Sequence, residues 1–129
     1  MKNLQLPLKK QWFEMTKSGI KTEDYREINR YWFTRLVGVN DLHYEDEFLF
    51  ELFVEQANIF EYSEDEINHF NKLFKPFTQN TMTLGYPKST DTERILKFEH
   101  AGIEIRTGNP EWGAEPNKLY FVIKHGKRC

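Results

Sequence analysis

Three observations predict an α+β fold for this chain of 129 residues. Apolar residues at helical spacing dominate the first half of the sequence. Short β-branched and aromatic runs dominate the second half, and this segregated order favours α+β over an alternating α/β arrangement. The length suits one domain spanning 1–129. With 16 % aromatic residues, 11 of them Phe, material for a core is not limiting.

The elements follow in chain order. Leu8, Trp12, Met15 and Gly19 are spaced by four, three and four, which predicts an amphipathic helix over 8–18. Pro7 suits its start and Gly19 a left-handed exit. Residues 21–28 read as extended. Alternation would then put Thr22, Asp24 and Arg26 on one face and Lys21, Glu23 and Tyr25 on the other. Tyr31, Trp32 and Leu36 predict a second short helix ending at Gly38, with Tyr31 and Trp32 in the core and Arg30 and Arg35 projecting. Phe48, Leu49, Leu52 and Phe53 again have helical spacing, although 48–54 also suits a strand. Ser63-Glu64-Asp65-Glu66 is a capping box that starts a helix through Ile67, Phe70 and Leu73, stopped by Pro76.

Beyond Pro76 the texture is β. A Thr-rich strand is predicted over 78–84, then a turn at Gly85-Tyr86-Pro87-Lys88. Ile95 to Ile105 reads as one or two strands, interrupted near Ala101-Gly102. A loop dense in turn residues spans 107–116, and Leu119 to Ile123 is a continuous apolar run that reads as a buried strand.

The net charge of −2 conceals an asymmetry. Residues 41–66 hold ten acids and no Lys or Arg. The rest holds 18 bases and 10 acids, a balance of +8. A basic body is the electrostatic footprint of a nucleic-acid binder. No apolar run reaches the length of a membrane span, the N-terminus lacks the pattern of a signal peptide, and the one cysteine, Cys129, has no internal partner. These features predict a cytoplasmic protein with no membrane partner. His43, His69, His100 and His125 show no metal-ligand spacing, and no phosphate loop, dinucleotide fingerprint or nucleophile elbow occurs, so no metal or cofactor is expected.

Residues 19–26, Gly-Ile-Lys-Thr-Glu-Asp-Tyr-Arg, are the densest polar segment. Gly19-x-Lys21-x-x-Asp24-x-Arg26 resembles the Gly-x-Lys-x-x-Glu-x-Arg signature of ASCH domains. Four further blocks are similar to the compact phage and bacterial members: Leu6 to Phe13; Tyr31, Trp32, Arg35 and Leu36; Gly85 and Tyr86; and Trp112 to Pro116 with Lys124 to Gly126. The resemblance covers 6–36 and about 80–127. It leaves 40–75 unmatched, as a helical acidic insertion. Asp24 stands where the signature has glutamate, one methylene shorter.

The resemblance implies a small PUA-like mixed β-barrel with flanking helices, and an RNA- or nucleotide-binding module. Lys21, Thr22, Asp24, Tyr25, Arg26, Tyr86 and Trp112 would line or flank its pocket. Arg26 is the phosphate or base-edge fork, and Tyr25, Tyr86 and Trp112 are stacking surfaces. An alternative is a hydrolase of a modified nucleoside or RNA, because some members deacetylate N4-acetylcytidine and others are reported as ribonucleases. Lys21 matches the amidohydrolase lysine, and Asp24 occupies the position of its threonine, which makes Lys21 and Asp24 the candidate catalytic pair. A third reading gives the acidic segment a protein partner.

Overall fold

Leu4, Leu6 and Leu8 are buried while Asn3 and Gln5 are exposed, and this period of two makes Asn3–Leu8 a strand, β1. The expected helix over 8–18 therefore begins later, as α1 at Lys10–Lys17. Pro7 sits inside β1 instead of heading a helix. A proline is tolerated there because β1 is an edge strand. The computed structural model describes residues 3–38 and 74–129. The two predicted acidic helices lie outside the described residues, apart from their last positions, Phe74 and Lys75.

The apolar face of α1 is also rotated from the expected one. Phe13 and Thr16 are fully buried, whereas Trp12 and Met15 are half-buried. Gly19 closes the helix at φ +85°, the left-handed exit expected of it. After the short strand β2 (Glu23–Glu27), Asn29 caps α2 (Arg30–Leu36) by accepting from the Trp32 amide at 3.0 Å. Trp32, Phe33 and Leu36 are buried. Tyr31, expected in the core, is 56 % exposed with the Arg35 guanidinium stacked on its ring.

Strands β3 (Gln79–Leu84), β4 (Ile95–Thr107) and β5 (Leu119–Arg128) complete a sheet of order β1-β3-β4-β5-β2. β1 runs parallel to β3, and the other neighbours are antiparallel. The sheet curls into a half-barrel with the two helices against it, a barrel-like α+β fold. Ile95 to Ile105 belongs to one strand. Its register shifts between Phe98 and Gly102, where the glycine adopts φ +116°. The continuous apolar run of β5 is explained by burial on both faces. Phe121 and Ile123 join the main core with Leu6, Phe13 and Leu36, while Tyr120 and Val122 pack with Tyr25 and Ala114 on the other side. No helix among the described residues is long and apolar enough to cross a membrane.

Candidate functional site

β2 is the strand that carries the signature, and its register with β5 decides which way each side chain points. Asp24 faces Ile123 and Arg26 faces Phe121, so both carry their charge toward the main core. Glu23, Tyr25 and Glu27 face Lys124, Val122 and Tyr120 on the other side.

Lys21 breaks the expected alternation. It precedes the strand, and the Gly19 turn folds it back so that its amide donates to the Met15 carbonyl at 3.1 Å. Its side chain thereby reaches the Asp24 side. The Lys21 ammonium donates to Asp24 Oδ1 at 3.1 Å and to the Glu23 carbonyl at 2.6 Å. Arg26 Nε donates to Asp24 Oδ2 at 2.7 Å. Lys21 and Asp24 are buried, and the Arg26 side chain is 15 % exposed. Burial opposes ionisation of Asp24, but the Arg26 and Lys21 charges and their hydrogen bonds outweigh it and hold the carboxyl below the ordinary aspartate value.

Arg26 also reaches across the open side of the half-barrel. Its Nη2 donates to the Pro7 carbonyl of β1 at 2.9 Å, and its guanidinium lies 4.7 Å from the centre of the Trp32 ring. The two edge strands are thus strutted together by one side chain. Nη1 of Arg26 has no hydrogen-bond partner among the described residues.

The other face of β2 carries a second network. Arg106 grips Glu23 with two bonds, Nη1 at 2.9 Å and Nη2 at 2.6 Å, and Glu104 takes Arg106 Nε at 3.0 Å and the Lys124 ammonium at 2.9 Å. Burial works against the Glu23 charge, yet its bonds from Arg106 and Tyr25 leave it lowered. Glu104 is lowered chiefly by Lys124. The Tyr25 hydroxyl accepts from the Asn109 amide at 2.9 Å, and burial together with the Glu23 carboxylate pushes its phenol up to about 12. Tyr25 therefore anchors the 108–116 loop. Gly108 is required there, because a Cβ would stand 2.8 Å from the Tyr25 ring.

The remaining predicted site residues are dispersed. Thr22 is exposed, and it contributes its carbonyl, which accepts from the His125 amide at 3.1 Å. Tyr86 is 96 % exposed on its turn. Trp112 is half-buried in a 3₁₀ turn at Pro110–Trp112, beside a Gly113 that lies against the Trp12 ring.

A polar relay absent from the sequence reading crosses β3, β4 and β5. The fully buried Asn80 amide donates to the Lys124 carbonyl at 3.1 Å and contacts His125 Nδ1 at 2.9 Å, while its Oδ1 contacts His100 Nδ1 at 2.7 Å. The bond to a carbonyl fixes the amide orientation. It therefore makes His125 Nδ1 the acceptor and His100 Nδ1 the donor. His125 Nε2 then carries the proton and is a buried donor without a partner among the described residues. Burial brings the His125 pKa down to about 4, against the opposing pull of Asp24, and burial also lowers His100. The sequence signal was weak: an Asn inside a Thr-rich strand and two histidines far apart. Among the described residues no group of His, Cys, Asp and Glu converges as a metal site.

Comparison with protein-family models, with curated proteins and with solved structures gives no match.

Proposed function

We propose that the chain is an RNA- or nucleotide-binding module of the ASCH type, a PUA-like barrel that takes a phosphate group at Arg26. The charge balance of the buried cluster carries this reading. Among the described residues, Lys21 and Arg26 share the one carboxylate of Asp24, and Nη1 of Arg26 is unspent on a partly exposed side chain. An unmatched charge in a desolvated setting is costly, and an anionic group beside it relieves that cost. The guanidinium plane suits phosphate through paired N–H bonds. Tyr86 offers a solvent-facing ring for an unpaired base, a contact worth about 1–3 kcal/mol. The +8 body supplies long-range attraction for a polyanion.

The same geometry favours binding over hydrolysis. Lys21 is buried and spends its ammonium on the Asp24 carboxylate and the Glu23 carbonyl, which fits a positioning role within the cluster. Fluorescence anisotropy with a labelled single-stranded RNA tests the reading. The wild type is expected to bind at about 50 mM salt and to weaken steeply toward about 200 mM. Arg26→Lys, measured well below its unfolding midpoint, is expected to bind at least about tenfold more weakly, the loss of one strong charge-assisted contact. Absence of wild-type binding at the lower salt overturns the reading, and release of acetate from N4-acetylcytidine would put the hydrolase in its place.

A further inference from the structure

A cavity of about 220 Å³ lies between the β3–β4 connection and the end of β5, lined by Ser89, Thr92, Ile95, Lys97, Arg128 and Cys129. None of these residues belongs to the Lys21–Asp24–Arg26 cluster. The cavity is held open by local structure. The connection turns through bonds from the Asp91 amide to the Lys88 carbonyl and from the Arg94 amide to the Asp91 carbonyl, which bring Ser89 and Thr92 to one rim. The Cys129 amide donates to the Lys97 carbonyl at 2.9 Å and fixes the end of β5 at the other rim.

The lining chemistry is one-sided. It offers an ammonium, a guanidinium and two hydroxyls, and no side-chain carboxylate. Among the described residues neither Lys97 nor Arg128 pairs with an acid. Asp91, on the connection, is engaged by Arg94 at 3.4 Å. The volume is below the roughly 300 Å³ at which pockets begin to hold drug-sized ligands. It suits a single tetrahedral anion.

We propose that this cavity binds a phosphate group, with Lys97 and Arg128 neutralising it and the Ser89 and Thr92 hydroxyls donating to its oxygens. The site is separate from the one proposed at Arg26, and it stands or falls independently. The phosphate comes either as a free anion or as part of a nucleic-acid backbone, and one experiment separates these sources. Amide NMR signals of Ser89, Thr92, Lys97 and Arg128 are followed while the full chain is titrated with inorganic phosphate and, separately, with a short single-stranded oligonucleotide. Shifts of these four signals with inorganic phosphate identify a small-anion site. Shifts with the oligonucleotide alone identify a backbone site. In either case Lys97→Ala with Arg128→Ala, both at exposed positions and checked for an unchanged far-UV spectrum, is expected to weaken the effect at least tenfold. Ser89→Ala is expected to weaken it less. If neither probe moves these signals, or if the double variant responds as the wild type does, the proposal is overturned. RNA binding lost on Arg26→Lys but retained in the double variant leaves the function proposed above standing and removes the nucleic-acid backbone as the source of the phosphate here.

Discussion

The two faces of β2 hold charge clusters of nearly the same composition in different surroundings. Toward the core, Asp24 sits between Lys21 and Arg26, with Asp24 and Lys21 buried. Toward the outside, Glu23 and Glu104 share Arg106 and Lys124, whose side chains are 40 % and 36 % exposed. On the outer face, Arg106, Lys124 and Glu104 are each about a third or more open to water while Glu23 is 13 % exposed, and two acids balance two bases. On the inner face, Lys21 and Asp24 are buried, Arg26 is 15 % exposed, and among the described residues one acid serves two bases. The same residue types thus perform different work. The outer network is a surface feature that trims the sheet, while the inner one holds the edges of the half-barrel together and keeps a cationic edge unspent among the described residues.

Breaking the inner cluster gives the sharpest test of that difference. Asp24→Asn removes the one carboxylate that the described residues place on two largely desolvated cations and is expected to destabilise the fold by about 3–5 kcal/mol in urea unfolding. A loss under about 1 kcal/mol would mean that the two faces are equivalent.

The second test uses acid. The folded His125 value of about 4 lies below the ordinary 6.5, so the unfolded chain takes up the proton first as the pH falls. Stability is therefore full above 6.5 and declines through the window from 6.5 to about 4, by about 3 kcal/mol. Asp24, Lys21, His100 and Glu23 are the charged and titratable groups that act on His125. The lowered carboxyls of Asp24, Glu23 and Glu104 act at lower pH. Their stabilisation is present above their unfolded values and is lost as the pH falls through their folded ones. His125→Phe is expected to flatten most of the upper window. An unchanged slope between pH 6.5 and 4 in that variant would assign the acid sensitivity elsewhere.

The smallest effect is expected on the outer face. Arg106→Ala should cost about 1 kcal/mol or less, and raised salt should shrink even that. A cost rivalling that of Asp24→Asn would erase the contrast.

How much of this was legible depended on whether the signal was local. Gly19 announced a left-handed turn, and the run Leu119–Ile123 announced a buried strand, because each is a property of a few adjacent residues. β1 was missed although Leu4, Leu6 and Leu8 alternate cleanly, because Pro7 and the Trp12 spacing suggested a helix first. The two faces of β2 were correct from Glu23 onward. They failed at Lys21, which lies before the strand, where a turn and not a pleat sets direction. The closeness of His100, Asn80 and His125 depends on how β3, β4 and β5 pair, which no local pattern encodes. The mutual engagement of Lys21, Asp24 and Arg26 depends on burial, and charge composition alone does not report it.

The parallel ladder of β1 on β3 has a consequence for the order of assembly. The Thr81 hydroxyl donates to Asn3 Oδ1 across 78 positions of sequence, and the ladder from Asn3–Gln79 to Leu8–Leu84 has the same long reach. Closing so large a loop carries its entropic cost before any pairing rewards it. The β3–β4 and β4–β5 ladders join nearer neighbours and need no such closure. β1 on β3, and β2 on β5 with a still longer reach, are therefore expected to dock late in folding. Arg26 can engage the Pro7 carbonyl only after both strands arrive, so the strut between the sheet edges is expected to be among the last bonds to form.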